Sequence, residues 1–342
     1  MTIKVAINGF GRIGRNILRA CYLESSRRSE LEIVAINDLA DPETLAHLLN
    51  FDSTHGRFPF DVTVSDHHLL IAGDSIPVLN QRDPGQLPWK SLQVDVVFEC
   101  TGRMTTRSAA QQHLVAGASR VLVSAPGKDL DATVVYGVNH EKLRPSDRLV
   151  SNASCTTNCL APLCQVLDEA FGIAQGFMTT VHAYTADQQL IDGPHSDLYR
   201  ARGAAQSMIP TKTGAATAIG EVLPQLAGKL DGLAVRVPTA NVSLVDLTVL
   251  LQRTTSIEGV NQAMQTAVEA DMHGVMSYSS KPLVSIDFQR QPYSCNFDAN
   301  HTNVSGGLLK VLAWYDNEWA FSVRMLDQAL YLGQLSQIDR VA

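Results

Sequence analysis

The chain opens with Ile3-Lys4-Val5-Ala6-Ile7-Asn8, a short apolar run. Gly9-Phe10-Gly11-Arg12-Ile13-Gly14 follows at once, and apolar residues then recur at helical spacing over Ile13–Leu23. Strand, glycine turn and helix in that order constrain the fold more than any other feature. The first glycine permits a tight turn, the second lets backbone approach a phosphate, and the third lets helix pack closely on strand. The helix N-terminus behind them offers unpaired N–H groups and partial positive charge. A second β-rich run, Leu31–Asn37, ends at Asp38. An acid at the tip of the second strand of a βαβ unit accepts hydrogen bonds from ribose hydroxyls. It also repels a 2′-phosphate, and the neighbouring Leu39 supplies no compensating cation. NAD rather than NADP is the expected cofactor, cradled by Asn8, Gly9, Gly11, Arg12, Ile13, Gly14 and Asp38.

The alternation continues. Pro42–Asn50 restarts a helix after Asp41, an N-cap with proline in the first turn. Asp61–Ser65, Leu69–Ile71 and Ile76–Leu79, the last two separated by Ala72-Gly73-Asp74, read as a small antiparallel excursion. Val94–Cys100, a helix near Thr106–Ala116, and strands at Arg120–Ser124 and Thr133–Tyr136 resume the pattern. This is the signature of an α/β fold, a Rossmann-type doubly wound parallel sheet. In such sheets ligands collect at strand ends, which singles out Thr101-Gly102 and Ser124.

Beyond Leu149–Asn152 the texture changes, and 342 residues suit two domains. A helix over Thr156–Phe171 leads to a β-rich run, Phe177–His182, and then to a long polar stretch from about Asp187 to Gln206. Irregular segments of that length inside compact domains are usually functional. Strands over Leu233–Val237 and Ser243–Leu251, a helix around Ile257–Ala270, a strand at Leu308–Tyr315 and a terminal helix over Trp319–Leu332 complete the reading. A domain boundary is expected near Ser154.

Composition excludes several functions. The net charge is −7 and the 27 Lys and Arg residues are scattered, so no basic face for nucleic acid or anionic membrane is expected. No apolar stretch approaches the roughly 18 residues of a membrane span. The N-terminus carries no signal-peptide pattern, and a cytoplasmic protein is expected. Six cysteines in a chain this long form no disulfide framework. Cys21, Cys100, Cys164 and Cys295 read as buried hydrophobes.

Cys155 differs. In Ser151-Asn152-Ala153-Ser154-Cys155-Thr156-Thr157-Asn158-Cys159 it stands between a strand and a helix, in the helix's first turn. There the dipole and free amides favour thiolate, which lowers the thiol's pKa, and Ser154 and Thr156 add donors suited to an oxyanion. Cys159, one turn on, is expected to face the packed side. No second cluster of suitable spacing makes the pair a metal site. A thiol nucleophile needs a base, and among ten histidines His182 is the strongest candidate, since it ends a strand and opens the polar segment.

Six blocks resemble the glyceraldehyde-3-phosphate dehydrogenase family: Asn8–Gly14, the block around Cys155, His182–Thr185, Thr213–Ala216, Arg236–Thr239 and Trp314–Trp319. The likeness runs nearly end to end and in order. It implies an NAD-binding domain over 1–154, an α+β catalytic domain with a mainly antiparallel sheet over 155–317, and a terminal helix, 318–342, returning to the first. It also implies that Cys155 attacks an aldehyde to form a hemithioacetal, with His182 as base. The resulting thioester is then cleaved by inorganic phosphate. By the same resemblance, Thr185 and Arg200 hold the substrate's own phosphate, with Arg236 close to both anions. Ser154, Thr156, Thr213 and Gly214 match the pocket for the attacking phosphate. Asn317 fixes the nicotinamide carboxamide, and Arg82 joins the cofactor residues. The segment 187–206 corresponds to a loop that packs across subunits, which implies a homotetramer. Ala320 stands where glycine is usual, Met104 where phenylalanine is frequent, Ala186 where asparagine is frequent, and Phe321 replaces a tyrosine.

Two other readings are open. Erythrose-4-phosphate dehydrogenases share the thiol, base and cofactor but hydrolyse the thioester. His182-Ala183-Tyr184-Thr185 and Thr211-Lys212-Thr213-Gly214 keep the phosphate-pocket pattern of the glycolytic type. A protein using its dinucleotide groove to bind RNA or a partner is the non-enzymatic alternative, and no basic stripe or aromatic platform supports it.

Overall fold

A computed structural model describes residues 2–341; Met1 and Ala342, the outermost residues of the expected domains, lie outside the described residues. The chain divides into two compact units. The first holds residues up to Val134, then His140–Ala153, then Ser322 onward, and the second holds Val135–Asn139 and Ser154–Phe321.

The first unit runs β1 (Ile3–Asn8), α1 (Arg12–Leu23), α2 (Ser25–Glu30), β2 (Leu31–Asn37), α3 (Pro42–Asn50), β3 (Val62–Ser65), β4 (His68–Ile71) and β5 (Asp74–Leu79). It continues with α4 (Trp89–Leu92), β6 (Val96–Glu99), α5 (Arg107–Val115), β7 (Arg120–Val123), β8 (Ala132–Thr133) and β9 (Leu149–Ser151). Among the described residues these strands form one sheet in the order β3-β4-β5-β2-β1-β6-β7-β9-β8. All neighbours from β5 to β8 pair in parallel, while β3, β4 and β5 pair antiparallel. The doubly wound expectation is met, and the strand order reverses between β1 and β6, the switch point where such sheets bind ligands.

Helix α3 starts where the sequence places it, because Asp41 accepts a hydrogen bond from Thr44 N (2.7 Å). The strand expected over Thr133–Tyr136 is confined to β8; after Val134 the chain turns away.

The second unit begins with α6 (Cys155–Phe171) and β10 (Ile173–Ala183), followed by β11 (Ile209–Lys212), α7 (Ala215–Val222), β12 (Leu230–Val237) and β13 (Ser243–Leu251). Then come α8 (Ile257–Glu269), β14 (Met276–Ser279), β15 (Cys295–Ser305), β16 (Leu308–Tyr315) and the start of α9 (Trp319–Val341). Its sheet has the order β11-β12-β10-β13-β16-β15-β14 and is mainly antiparallel; β10–β12 and β14–β15 are the parallel pairs. Between Ala183 and Ile209 there is neither helix nor strand. Ion pairs and turns hold that segment instead, among them Arg202–Asp192 at 2.8 Å.

From Ser322 on, α9 belongs to the first unit. There Arg120 Nε donates to Leu332 O (3.3 Å) and Arg27 pairs with Asp327 (2.9 Å).

Candidate active site

In the first unit, the C-terminal ends of β1, β2 and β6 enclose a cleft of about 370 Å³. Asn8, Gly9, Gly11, Asp38, Arg82 and Thr101, all expected cofactor residues, line it. Asn37, Leu39, Gln81, Pro84, Cys100, Arg103 and Met104 line it as well and were not singled out for the cofactor. Arg12, Ile13, Gly14, Gly102 and Ser124 lie outside the lining.

The glycines divide their work as the motif requires. Gly9 has φ +91°, and a Cβ there would meet Thr101 N at 2.7 Å. A Cβ on Gly14 would meet Gly9 O at 2.3 Å, so the α1–β1 packing depends on its absence. Gly11 is the opposite case: a Cβ there meets nothing within 4 Å. It stands at the N-cap of α1 and makes no side-chain cap hydrogen bond. An open hollow at a helix start fits a pyrophosphate.

Asp38 accepts from Phe10 N (2.7 Å) and Ala40 N (3.0 Å), which fixes its carboxylate at the cleft wall. Arg12 points its guanidinium to Asp52, 2.5 Å away. Asp52 also accepts from Thr54 N and His55 N. Burial works against ionisation of Asp52, but these donors and Arg12 outweigh it and hold its carboxyl down at about 2.

In the second unit, Ser154 caps α6 by accepting from Thr157 N (3.0 Å), which puts Cys155 at the first helical position. The residue before the cap, Ala153, has φ +54°, an uncommon conformation for alanine that turns the chain sharply into the helix. Cys155 Sγ lies 3.5 Å from His182 Nε2, at the end of β10. His182 Nδ1 is 2.6 Å from Ala183 O. A carbonyl only accepts, so at 2.6 Å Nδ1 carries the proton. Arg236 Nη1, 3.2 Å from the same nitrogen and itself only a donor, then makes no hydrogen bond to it, and the Nε2 lone pair faces the thiol.

Arg236, opposite His182 in the β10–β12 register, donates to Ala183 O (3.1 Å) and Thr185 Oγ1 (3.3 Å). Burial and the Arg236 charge push His182 down to about 3, so the imidazole is neutral. Burial raises the Cys155 thiol, while Arg236 and Thr156 pull the other way. The sequence expectation of a thiol lowered by its helix start is therefore corrected. In the resting site, desolvation outweighs the helix start, and thiol faces neutral imidazole.

Thr156, Thr213 and Gly214 stand at the starts of α6 and α7. Thr213 Oγ1 accepts from Ala215 N (3.2 Å), and Gly214 is open, with nothing near its missing Cβ. Arg200 donates to Thr211 Oγ1 (3.1 Å) and forms a close ion pair with Asp187. Ser243 donates to Asn317 Oδ1 (2.8 Å) and accepts from Ala183 N (3.0 Å), tying Asn317 to the strand that carries His182. This leaves the Asn317 amide nitrogen for another partner. Asp316 accepts from Trp319 N (2.8 Å) and starts α9, where buried Ala320 is accommodated.

Sequence reasoning missed Tyr315, whose hydroxyl joins Thr156 Oγ1 (2.9 Å) and Thr180 Oγ1 (2.7 Å) beneath the thiol. It stands in the Trp314–Trp319 block, so the signal was present. Asp187 and Ser243 had none. Cys159 is fully buried on the packed side of α6, as expected.

A doubly wound sheet with a glycine cradle and an acid at its second strand in one unit, and a thiol–imidazole pair amid cations and hydroxyls in the other, fit a dinucleotide-dependent oxidoreductase. The comparisons with known proteins carry this further. A family model described as the glyceraldehyde 3-phosphate dehydrogenase NAD binding domain matches residues 3–107, and that of the C-terminal domain matches residues 154–317. The chain belongs to the glyceraldehyde-3-phosphate dehydrogenase family. A glyceraldehyde-3-phosphate dehydrogenase of Pseudomonas aeruginosa is 62% identical, the alignment covering 97% of this chain and 98% of that protein. The plasmid form of Cupriavidus necator is 58% identical (97% and 99% covered), and the Geobacillus stearothermophilus protein 51% (97% and 98%).

Proposed function

We propose that the chain oxidises D-glyceraldehyde 3-phosphate to 1,3-bisphosphoglycerate with NAD and inorganic phosphate. The observation that carries this reading is the Cys155–His182 pair, with the Nε2 lone pair turned to the thiol at 3.5 Å and Arg236 alongside. Cys155 Sγ bonds to the aldehyde carbon as the C=O π bond breaks and the thiol proton passes by way of His182 Nε2 to the carbonyl oxygen, giving a hemithioacetal. His182 Nε2 takes the hemithioacetal hydroxyl proton as hydride departs, which leaves a thioester. NAD, held by the Gly9–Gly14 loop and Asp38, supplies the hydride acceptor when bound. Phosphate then bonds to the thioester carbon and Cys155 leaves as thiolate, regaining its proton from His182.

Two anions must be held. Thr185, Arg200 and Arg236 take the substrate phosphate. Ser154, Thr156, Thr213 and Gly214 take the attacking one, with hydroxyls and helix-start amides as ligands. The substrates are small phosphorylated solutes, which fits the cytoplasmic location expected from the sequence. The direction of flux in glycolysis or gluconeogenesis is a matter of metabolite levels. We also propose a homotetramer, supported by the exposed apolar side chains Leu190, Ile191, Leu198 and Tyr199 in the irregular segment.

NADH formation from glyceraldehyde 3-phosphate, with and without phosphate, tests the reaction. Strong phosphate dependence and preference for the triose are expected. Preference for erythrose 4-phosphate without a phosphate requirement would instead establish the hydrolytic relative's activity. RNA binding that survives Cys155→Ser, in a parent without dehydrogenase activity, would establish the non-enzymatic reading.

A further inference from the structure

Beneath the cleft of the first unit lies a polar network that neither the glycine motif nor the reaction calls for. Glu99, the last residue of β6, is 1% exposed. Its Oε2 accepts from Asn8 Nδ2 (2.6 Å) and sits 3.0 Å from His113 Nε2; its Oε1 accepts from Thr101 N (2.8 Å) and, in a shorter contact, from Thr101 Oγ1. His113, on α5, is fully buried, and its Nδ1 is 3.0 Å from Trp89 Nε1. An indole nitrogen only donates, so His113 Nδ1 accepts and Nε2 carries the proton to Glu99. Four donors thus converge on one buried carboxylate with no lysine or arginine among these contacts.

The network reaches the cleft by two arms. Through Asn8, whose Oδ1 accepts from Asn37 Nδ2 (2.7 Å), it reaches Asn37. Asn37 in turn exchanges hydrogen bonds with the backbone of Gln81, at 2.9 Å each way. Asn8, Asn37 and Gln81 all line the cleft. The other arm is Thr101. A Cβ on Gly9 would lie 2.7 Å from Thr101 N, so the glycine loop rests directly on the peptide that Glu99 holds. The height of Gly9, and with it the hollow over Gly11, follows from where Glu99 keeps Thr101.

We propose that Glu99, oriented by the Trp89–His113 relay, is a positioning residue for dinucleotide binding: it splints the ends of β1 and β6 so that the glycine loop is preformed. The proposal rests on the reading of this cleft as the NAD site. It acts on cofactor affinity and not on the thiol chemistry, since none of its members contacts Cys155 or His182 in the contacts described above.

Two substitutions distinguish this role from packing alone. Glu99→Gln keeps shape but turns an amide N–H toward Asn8 Nδ2 and His113 Nε2, donor against donor. His113→Gln keeps an acceptor for Trp89 and a donor for Glu99, whereas His113→Leu keeps neither. In the full-length protein, Glu99→Gln and His113→Leu should weaken NAD binding by about tenfold or more, measured by calorimetric titration. His113→Gln should stay within about threefold of the parent, because its donor–acceptor pattern is retained. For all three, kcat at saturating NAD and KM for the aldehyde should stay near parental values, and Cys155 should alkylate at the parental rate. If His113→Leu folds poorly, the contrast between Glu99→Gln and His113→Gln decides. Parental NAD affinity in Glu99→Gln, or equal loss in His113→Gln and His113→Leu, overturns the positioning role. A parent that does not bind NAD overturns the reading of the cleft itself.

Discussion

The hydrogen bond from His182 Nδ1 to Ala183 O decides which ring nitrogen can take a proton from the substrate. With that tautomer fixed and Arg236 beside the ring, His182 is neutral in the resting site, as the proposed first proton transfer requires. Replacing it by asparagine should lower kcat by about a hundredfold or more, with NAD binding retained. The same depression has a consequence for stability. His182 titrates near 6.5 unfolded and about 3 folded, so between those values the unfolded chain binds the extra proton. Stability therefore falls as pH drops from about 6.5 toward 3, by about 2 kcal/mol near pH 5 from this residue. In His182→Asn the acid side of the urea-melt profile should be flatter over that window; a slope equal to the parent's would refute the assignment. Asp52 has the same sense for the opposite reason. Its folded carboxyl, held at about 2, contributes stability that is present above about 3.8 and lost as pH falls through 2. Asp52→Asn should cost on the order of 1–2 kcal/mol at neutral pH, and the gap to the parent should narrow by pH 3. Among thiols, Cys21, Cys159, Cys164 and Cys295 are buried while Cys155 and Cys100 are partly exposed; burial pushes both of the latter up, and only Cys155 has a cation, Arg236, working against it. Brief substoichiometric iodoacetamide should label Cys155 first, as read by peptide mapping; Cys159 or Cys295 labelled first would contradict the site.

At the scale of elements, the glycine loop allows a paired test. A methyl at Gly11 meets open space, so Gly11→Ala should melt like the parent yet bind NAD weakly, because the methyl fills the phosphate hollow. A methyl at Gly14 collides with Gly9 O, so Gly14→Ala should lose both NAD binding and stability, by about 1–3 kcal/mol. Equal melting of the two would mean the α1–β1 packing is looser than the 2.3 Å approach to Gly9 O implies. Local pattern made much of the fold legible. Strands β2, β13 and β16 and helix α3 occupy the residues expected, because alternation or a cap marks them. Strand β15 was missed, since Cys-Asn-Phe-Asp-Ala-Asn-His reads as a polar turn. It is a strand because Phe297 packs inward and buried Asp298 and Asn296 find partners on β16, among them Trp314 Nε1 at 3.2 Å. Such pairing is set by distant residues and leaves no local periodicity. The site divides the same way. Cys155 and the glycine loop announce themselves in sequence, Arg236 needed the family likeness, and Ser243 and Glu99 acquire roles only through strand register.

At the scale of the whole molecule, the distribution of apolar surface argues for assembly. The chain carries a net charge of −7, which favours solubility, yet Leu190 (79% exposed), Ile191 (71%), Leu198 (81%) and Met208 (75%) cluster in one irregular stretch. Phe177 on β10 adds a bare aromatic ring at 73% exposure. Isolated exposed hydrophobes are ordinary, but so many large ones within and beside a single segment mark an interaction surface. The segment has no helix or strand of its own and is held by exposed ion pairs such as Arg202–Asp192. The tetramer proposed from the family resemblance predicts about four times the 37.1 kDa chain mass in light scattering on the purified chain. Charging the surface at two points, Ile191→Arg with Leu198→Glu, should lower that mass without unfolding either unit, because both side chains face solvent in the isolated chain. A parent that scatters as a monomer would remove the tetramer proposal and leave the catalytic reading untouched, since Cys155, His182 and Arg236 come from one chain.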